Sequence, residues 1–195
     1  MEFNIPTYLT LLRIALIPIV VVLFYLPWPF AHVACAAVFG LAGITDWLDG
    51  YLARRMSQTT QFGAFLDPVA DKLMVAVTLV LIVQADPSPW VAVASAVIIG
   101  REITIASLRE WMAEVGQRKK VEVSWMGKWK TSAQIIAIEI LLLGMDVWKE
   151  PLKETGQAIL FISAVLTLWS MVNYLRAALP TLTRREPGSV QSGPG

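Results

Sequence analysis

Cysteine and histidine each occur once in the 195 residues, as Cys35 and His32. A single cysteine excludes an intrachain disulfide, and the two residues offer no zinc-ligand spacing. Charge is scarce as well. Asp, Glu, Lys and Arg make up 16% of the chain and hydrophobic residues 56%, whereas a soluble domain is about a quarter charged. The apolar residues fall in blocks of roughly 20, the length that crosses the hydrocarbon core as a helix. The chain therefore reads as an integral membrane protein of one domain, with membrane lipids and not nucleic acid as its surroundings. Met1-Glu-Phe-Asn4 lacks a basic region, and Pro27-Trp-Pro-Phe30 follows the first apolar run where small residues would stand. A cleaved signal peptide is not expected from that pattern.

Six helical spans are expected, at about 5–26, 32–54, 65–84, 89–112, 127–146 and 157–179. The breaks between them are polar or proline-bearing: Pro27–Pro29, Ser57–Gln61, Asp86–Pro89, Gly116–Lys120 and Asp146–Pro151. The fold expected is all-α, with six transmembrane helices. The domain spans 1–182, and the tail 183–195, with its Pro-Gly and Gly-Pro-Gly steps, reads as disordered. Six spans put both termini on one side. The loops on that side carry Arg54, Arg55, Arg118, Lys119 and Lys120, against Lys149 and Lys153 opposite. The positive-inside rule then places both termini in the cytoplasm. Tryptophans cluster towards both sets of helix ends, with Trp28, Trp90 and Trp148 at one level and Trp47, Trp111, Trp125 and Trp129 at the other. That is a double aromatic belt.

Against this apolar background stand Asp46, Asp49, Asp67 and Asp71. The first pair is three residues apart and the second four, so each pair shares one helix face. An aspartate at the centre of a spanning helix costs roughly 2.5–3.5 kcal/mol, and clustering adds like-charge repulsion. Arg54 and Lys72 are near in sequence but would leave half of the charge uncompensated. Two divalent cations would cancel it, and an all-oxygen donor set points to Mg²⁺ or Mn²⁺, with Ca²⁺ a further option. A salt-bridged structural cluster or an ion pathway is the competing reading. Gly50 and Ala53 flank Arg54 with minimal side chains, leaving room for a ligand near the backbone. Gly63 permits tight packing before the second pair, and Pro68 suits a first helical turn. Thr10 and Arg13 share a face of the first span. An arginine in a span is a functional candidate, or a partner for one of these aspartates.

Asp46-Trp-Leu-Asp49-Gly50-Tyr-Leu-Ala53-Arg54, followed after a spacer by Gly63-Ala-Phe-Leu-Asp67-Pro-Val-Ala-Asp71, resembles the signature of the CDP-alcohol phosphotransferases. The stretches Asn4–Arg13, Gly100–Ile103, Leu108–Trp111 and Gly127–Thr131 extend the resemblance over about residues 1–180, with Thr7 where many members carry asparagine. It implies transfer of the phosphatidyl group from CDP-diacylglycerol to sn-glycerol 3-phosphate, giving phosphatidylglycerophosphate and CMP. It further implies that the six helices surround a cytoplasm-facing polar cavity, and a homodimer in the inner membrane of a bacterium, with two metal ions held by Asp46, Asp49, Asp67 and Asp71. Asp71 resembles the general base, and Gly50, Ala53 and Arg54 the CDP-binding part, to which Gly63, Thr10 and Arg13 are assigned.

An acceptor that carries a phosphate needs cations. Arg101 and Arg109 are eight residues apart on the fourth span, about two turns, and Lys128 and Lys130 open the fifth. Together they form a candidate pocket for the acceptor phosphate. The competing reading makes them topology determinants, or partners of Glu102 and Glu110. Other acceptors on the same chemistry (serine, inositol phosphate or phosphatidylglycerol) and a divalent-cation transporter are the alternative functions. Glu139 and Arg176 receive no role. His32 and Cys35 read as plain helix residues, and Gly40 and Gly43 as marks of a helix contact.

Overall fold

The computed structural model describes residues 5–56, 61–116, 125–146 and 149–182. Their regular structure is six α-helices: α1 Ile5–Phe24, α2 Ala31–Met56, α3 Gln61–Ala85, α4 Pro89–Glu114, α5 Trp125–Asp146 and α6 Lys149–Leu182. The expected tail lies outside the described residues. Three of the helices contain stretches long and apolar enough to cross a membrane: Thr7–Phe24 in α1, Pro89–Glu114 in α4 and Glu150–Arg176 in α6.

Local chemistry explains several helix ends. Pro87 and Pro89 bracket the α3–α4 break, and Pro89 sits at the start of α4, where its missing N–H has no intrahelical partner to lose. Gly116 closes α4 in the left-handed region at φ 72°, a conformation that favours glycine. Its N–H reaches the Ala113 carbonyl at 3.1 Å.

Two helices begin earlier than expected. α6 starts at Lys149, so the polar segment before 157 forms its first two turns, and Pro151 fits there as the third residue. α3 starts at Gln61, which moves Pro68 from a first turn into the helix interior. There its ring denies the Ala64 carbonyl its usual N–H partner, one residue beyond Asp67.

α1 packs against α2 and α3, and α6 against α5 and α4; α2 meets α5, and α3 meets α4. The shared core is apolar, built from Leu16, Val20, Phe39, Leu79, Ile82, Ile98, Ile138, Leu142 and Leu160 among others. The outward faces are apolar too: Val22, Phe65, Val80, Trp90, Ile162 and Trp169 are all exposed. A chain apolar both inside and out suits lipid, not water. α6 buries Ser163, Thr167, Ser170 and Tyr174. These lie four, three and four residues apart, on one helix face, where small side chains let the backbones come close.

Glycines mark two further close approaches. A Cβ on Gly156 would stand 2.7 Å from Leu141 Cγ, and one on Gly40 would stand 2.8 Å from Glu139 Oε1. The expected contact at Gly40 is thus to α5, whereas among the described residues nothing lies within 4 Å of a Cβ on Gly43. The two close sites should respond differently. Glu139 meets Gly40 with the mobile end of its side chain, while Leu141 meets Gly156 through a branched carbon near its backbone. Gly156→Ala is expected to destabilise the detergent-solubilised protein by about 1–3 kcal/mol through overpacking. Gly40→Ala should change its thermal unfolding much less, and equal losses would refute this account.

The end of the bundle away from the aspartates is pinned by polar contacts. Asp146, the last residue of α5, accepts hydrogen bonds from the backbone N–H groups of His32 at 2.8 Å and Val33 at 3.1 Å. Its other oxygen pairs with His32 Nδ1 at 2.6 Å. His32 is therefore bound to Asp146 through both its backbone N–H and its ring at the start of α2, and is not a plain helix residue. Beside it Asp86 accepts from Gln157 at 2.5 Å and faces Lys153 Nζ at 3.4 Å. A cavity of about 320 Å³ opens there between His32, Asp86, Leu141, Glu150 and Lys153.

Candidate active site

At the opposite end, α1 supplies two buried polar side chains to carboxylates on its two neighbours. Thr10 and Arg13 are three residues apart, so both project from the face of α1 that meets α2 and α3. Arg13 Nη1 stands 2.6 Å from Asp71 Oδ1 of α3 and 3.1 Å from Asp46 Oδ1 of α2. The Thr10 hydroxyl donates to Asp67 Oδ1 of α3. One turn of α1 thereby gathers three of the four predicted carboxylates.

Burial is graded across this group. The Arg13 side chain is 1% exposed, while those of Asp46 and Asp71 are 46% and 45% exposed. The cation is the buried member, and the carboxylates lie between it and the open side. Arginine stays protonated in any protein environment, so its burial is tolerable only because two carboxylates face it.

Asp49, Gly50, Ala53 and Arg54 lie on α2 beyond Asp46, and their side chains fall outside the described residues. Gly63 is buried near the start of α3. Lys128 and Lys130 belong to the first turns of α5, again with side chains outside the described residues.

Arg101 lies at the midpoint of α4 and Arg109 nearer its C-terminus. Arg101 is buried and its Nη1 donates to the Glu102 carboxylate. This is the pairing the competing reading anticipates. Arg109 instead lies over the ring of Tyr174 on α6, 5.8 Å from its centroid, an attraction between cation and ring face. Among the described residues, the Nε atoms of both arginines are buried without a hydrogen-bond partner. No hydrogen bond or ion pair within the described residues joins either arginine to the aspartates. The structure thus brings together Thr10, Arg13, Asp46, Asp67 and Asp71, and leaves Arg101 and Arg109 as a second group along α4 and α6.

Tyr174 belongs to that second group and is missed by sequence reasoning. It is buried with Ile105 and Met112 in a small apolar cluster of its own. Its place on the buried stripe of α6, four residues after Ser170, is the only signal the sequence holds for it.

Comparison with known proteins places the chain in a family. The family model for CDP-alcohol phosphatidyltransferase matches residues 3–169. The chain belongs to the CDP-alcohol phosphatidyltransferase family. A relative from Salmonella choleraesuis is 55% identical over 178 residues, covering 91% of this chain and 96% of its own length. Its name is CDP-diacylglycerol--glycerol-3-phosphate 3-phosphatidyltransferase. Relatives of the same name from Escherichia coli and Shigella flexneri are 54% identical over the same shares.

The donor chemistry fits a hard divalent cation: three carboxylates from two helices, two of them open on the side away from Arg13. Asp46, Asp67 and Asp71 do not by themselves close into a three-ligand group among the described residues, and the Asp49 side chain falls outside them.

Proposed function

We propose that this chain transfers the phosphatidyl group of CDP-diacylglycerol to sn-glycerol 3-phosphate, releasing CMP. The observation that carries this reading is the 55% identity, over nearly the whole of both chains, to relatives named for that reaction. The gathering of carboxylates by α1 supports it with a place for the chemistry.

The acceptor hydroxyl attacks the β-phosphorus and CMP leaves, with no covalent intermediate on the protein. Asp71 accepts the proton of that hydroxyl, as a half-exposed carboxylate anchored at one oxygen by Arg13. Asp46, Asp49, Asp67 and Asp71 would hold Mg²⁺ or Mn²⁺, two ions in all. Bound there, the ions supply charge neutralisation to the diphosphate and to the departing oxygen. Gly50, Ala53 and Gly63 leave space for the cytidine diphosphate, and Arg54 offers it a cation. Arg101, Arg109, Lys128 and Lys130 hold the acceptor's phosphate.

In this reading residues 1–182 cross the bacterial inner membrane six times as one domain. The aspartate end and both termini face the cytoplasm, where glycerol phosphate and the released CMP are soluble, and the protein works as a homodimer. Support comes from the three helices of spanning length and from Trp28 and Trp90, exposed at the end away from the aspartates.

Purified protein should release CMP from CDP-diacylglycerol in Mg²⁺ when given glycerol 3-phosphate. It should not do so with serine, inositol phosphate or phosphatidylglycerol. Equal release with serine and none with glycerol 3-phosphate would assign the chain to another acceptor.

A further inference from the structure

The placement of Arg13 has a meaning beyond helix packing. Its guanidinium bridges Asp46 and Asp71 from the buried side, at 3.1 and 2.6 Å. It cannot swing away, because the same face of α1 continues into the core through Leu16 and Val20. Nor can it lose its charge. A divalent ion bound by these carboxylates must therefore share two of them with a fixed positive charge, and like charges at such range repel. With no ion bound, the same guanidinium neutralises carboxylates that would otherwise push α2 and α3 apart.

We propose that Arg13 is a resident counter-cation. It holds α1, α2 and α3 together when the carboxylates carry no ion, and it weakens their affinity for divalent ions. The inference rests on the metal reading of the aspartates given above. It assigns Arg13 a positioning and affinity-setting role that neither simple packing nor contact with the CDP-lipid would produce. A packing residue, when replaced, lowers stability with and without ions alike. A counter-cation, when replaced, lowers stability without ions but tightens ion binding.

The test compares the full-length protein with Arg13→Gln and Arg13→Lys in detergent. Mn²⁺ binding is read directly from the electron paramagnetic resonance of the free ion, and thermal unfolding is followed in EDTA and in saturating Mn²⁺. Arg13→Gln should bind Mn²⁺ roughly tenfold more tightly than the unaltered protein and unfold at a lower temperature in EDTA. Much of that loss should return in Mn²⁺, because a ligand bound only by the folded state stabilises it. Arg13→Lys, which keeps the charge, should stay close to the unaltered protein in affinity. Should Arg13→Gln fold only when prepared in Mn²⁺, while the unaltered protein survives chelation, the role stands. Failure to fold even in Mn²⁺ would overturn it, as would Mn²⁺ binding no tighter than that of an unaltered protein that binds the ion. An unaltered protein that binds no Mn²⁺ at all would remove the metal reading itself, and this role with it.

Discussion

Asp71→Asn is expected to lower the rate of CMP release by about 10²–10⁴-fold, the range that a positioned general base contributes. Asparagine keeps the size of the side chain and an oxygen for Arg13, so α1 and α3 stay joined. What it loses is the capacity to take a proton and one unit of charge at the ion site. Divalent binding should therefore weaken without vanishing, and the chemical step should fail. Single-turnover measurement with saturating glycerol 3-phosphate separates the two effects, because added Mg²⁺ restores binding but not proton transfer. Near-normal turnover would exclude Asp71 as the base and shift attention to the other carboxylates.

Arg109→Gln should act on the acceptor and leave the donor alone. A hydrogen bond to a charged group contributes about 1.5–3 kcal/mol, and each 1.4 kcal/mol is tenfold. The KM for glycerol 3-phosphate should thus rise roughly 10–100-fold, with the KM for CDP-diacylglycerol unchanged. The expectation rests on the buried, unpartnered Nε among the described residues and on the ring of Tyr174 that steadies the guanidinium. Tyr174→Leu should reproduce part of the effect by freeing Arg109. If Arg109→Gln raises the KM of the CDP-lipid instead, the cation serves the nucleotide side of the site.

Much of the helical layout could be read from hydropathy, because spans in lipid must be long and their breaks polar or proline-bearing. The errors arise where that logic is weakest. Lys149–Thr155 is too polar to read as part of a span, yet nothing in it opposes a helix once Pro151 falls in the first turn. Pro68 looks like a helix start because proline is most at home there; in α3 it is carried inside, beside Asp67. Spacing pointed to a shared face for Thr10 and Arg13 and allowed pairing with an aspartate as one of two readings of Arg13. It did not say which aspartate, since Asp46 and Asp71 belong to different helices and only packing of α1 against both brings them together. Tyr174 and the His32–Asp146 pair are contacts between residues 65 and 114 positions apart, beyond the reach of periodicity.

The polar pins at the far end carry a mechanical consequence. From Asp71 to Asp86 along α3 is about 22 Å at 1.5 Å per residue, so the His32–Asp146 and Lys153–Asp86–Gln157 ties sit about four helical turns from the carboxylates. α2 and α3 are tied at both ends: to α1 through Arg13 and Thr10 at the carboxylates, and to α5 and α6 at the far pins. The far ties lie where no reaction is proposed, and the near ones hold Asp46, Asp67 and Asp71. Two struts braced at both ends form a frame, and the spacing between the carboxylates is then set by the whole frame and not by one joint.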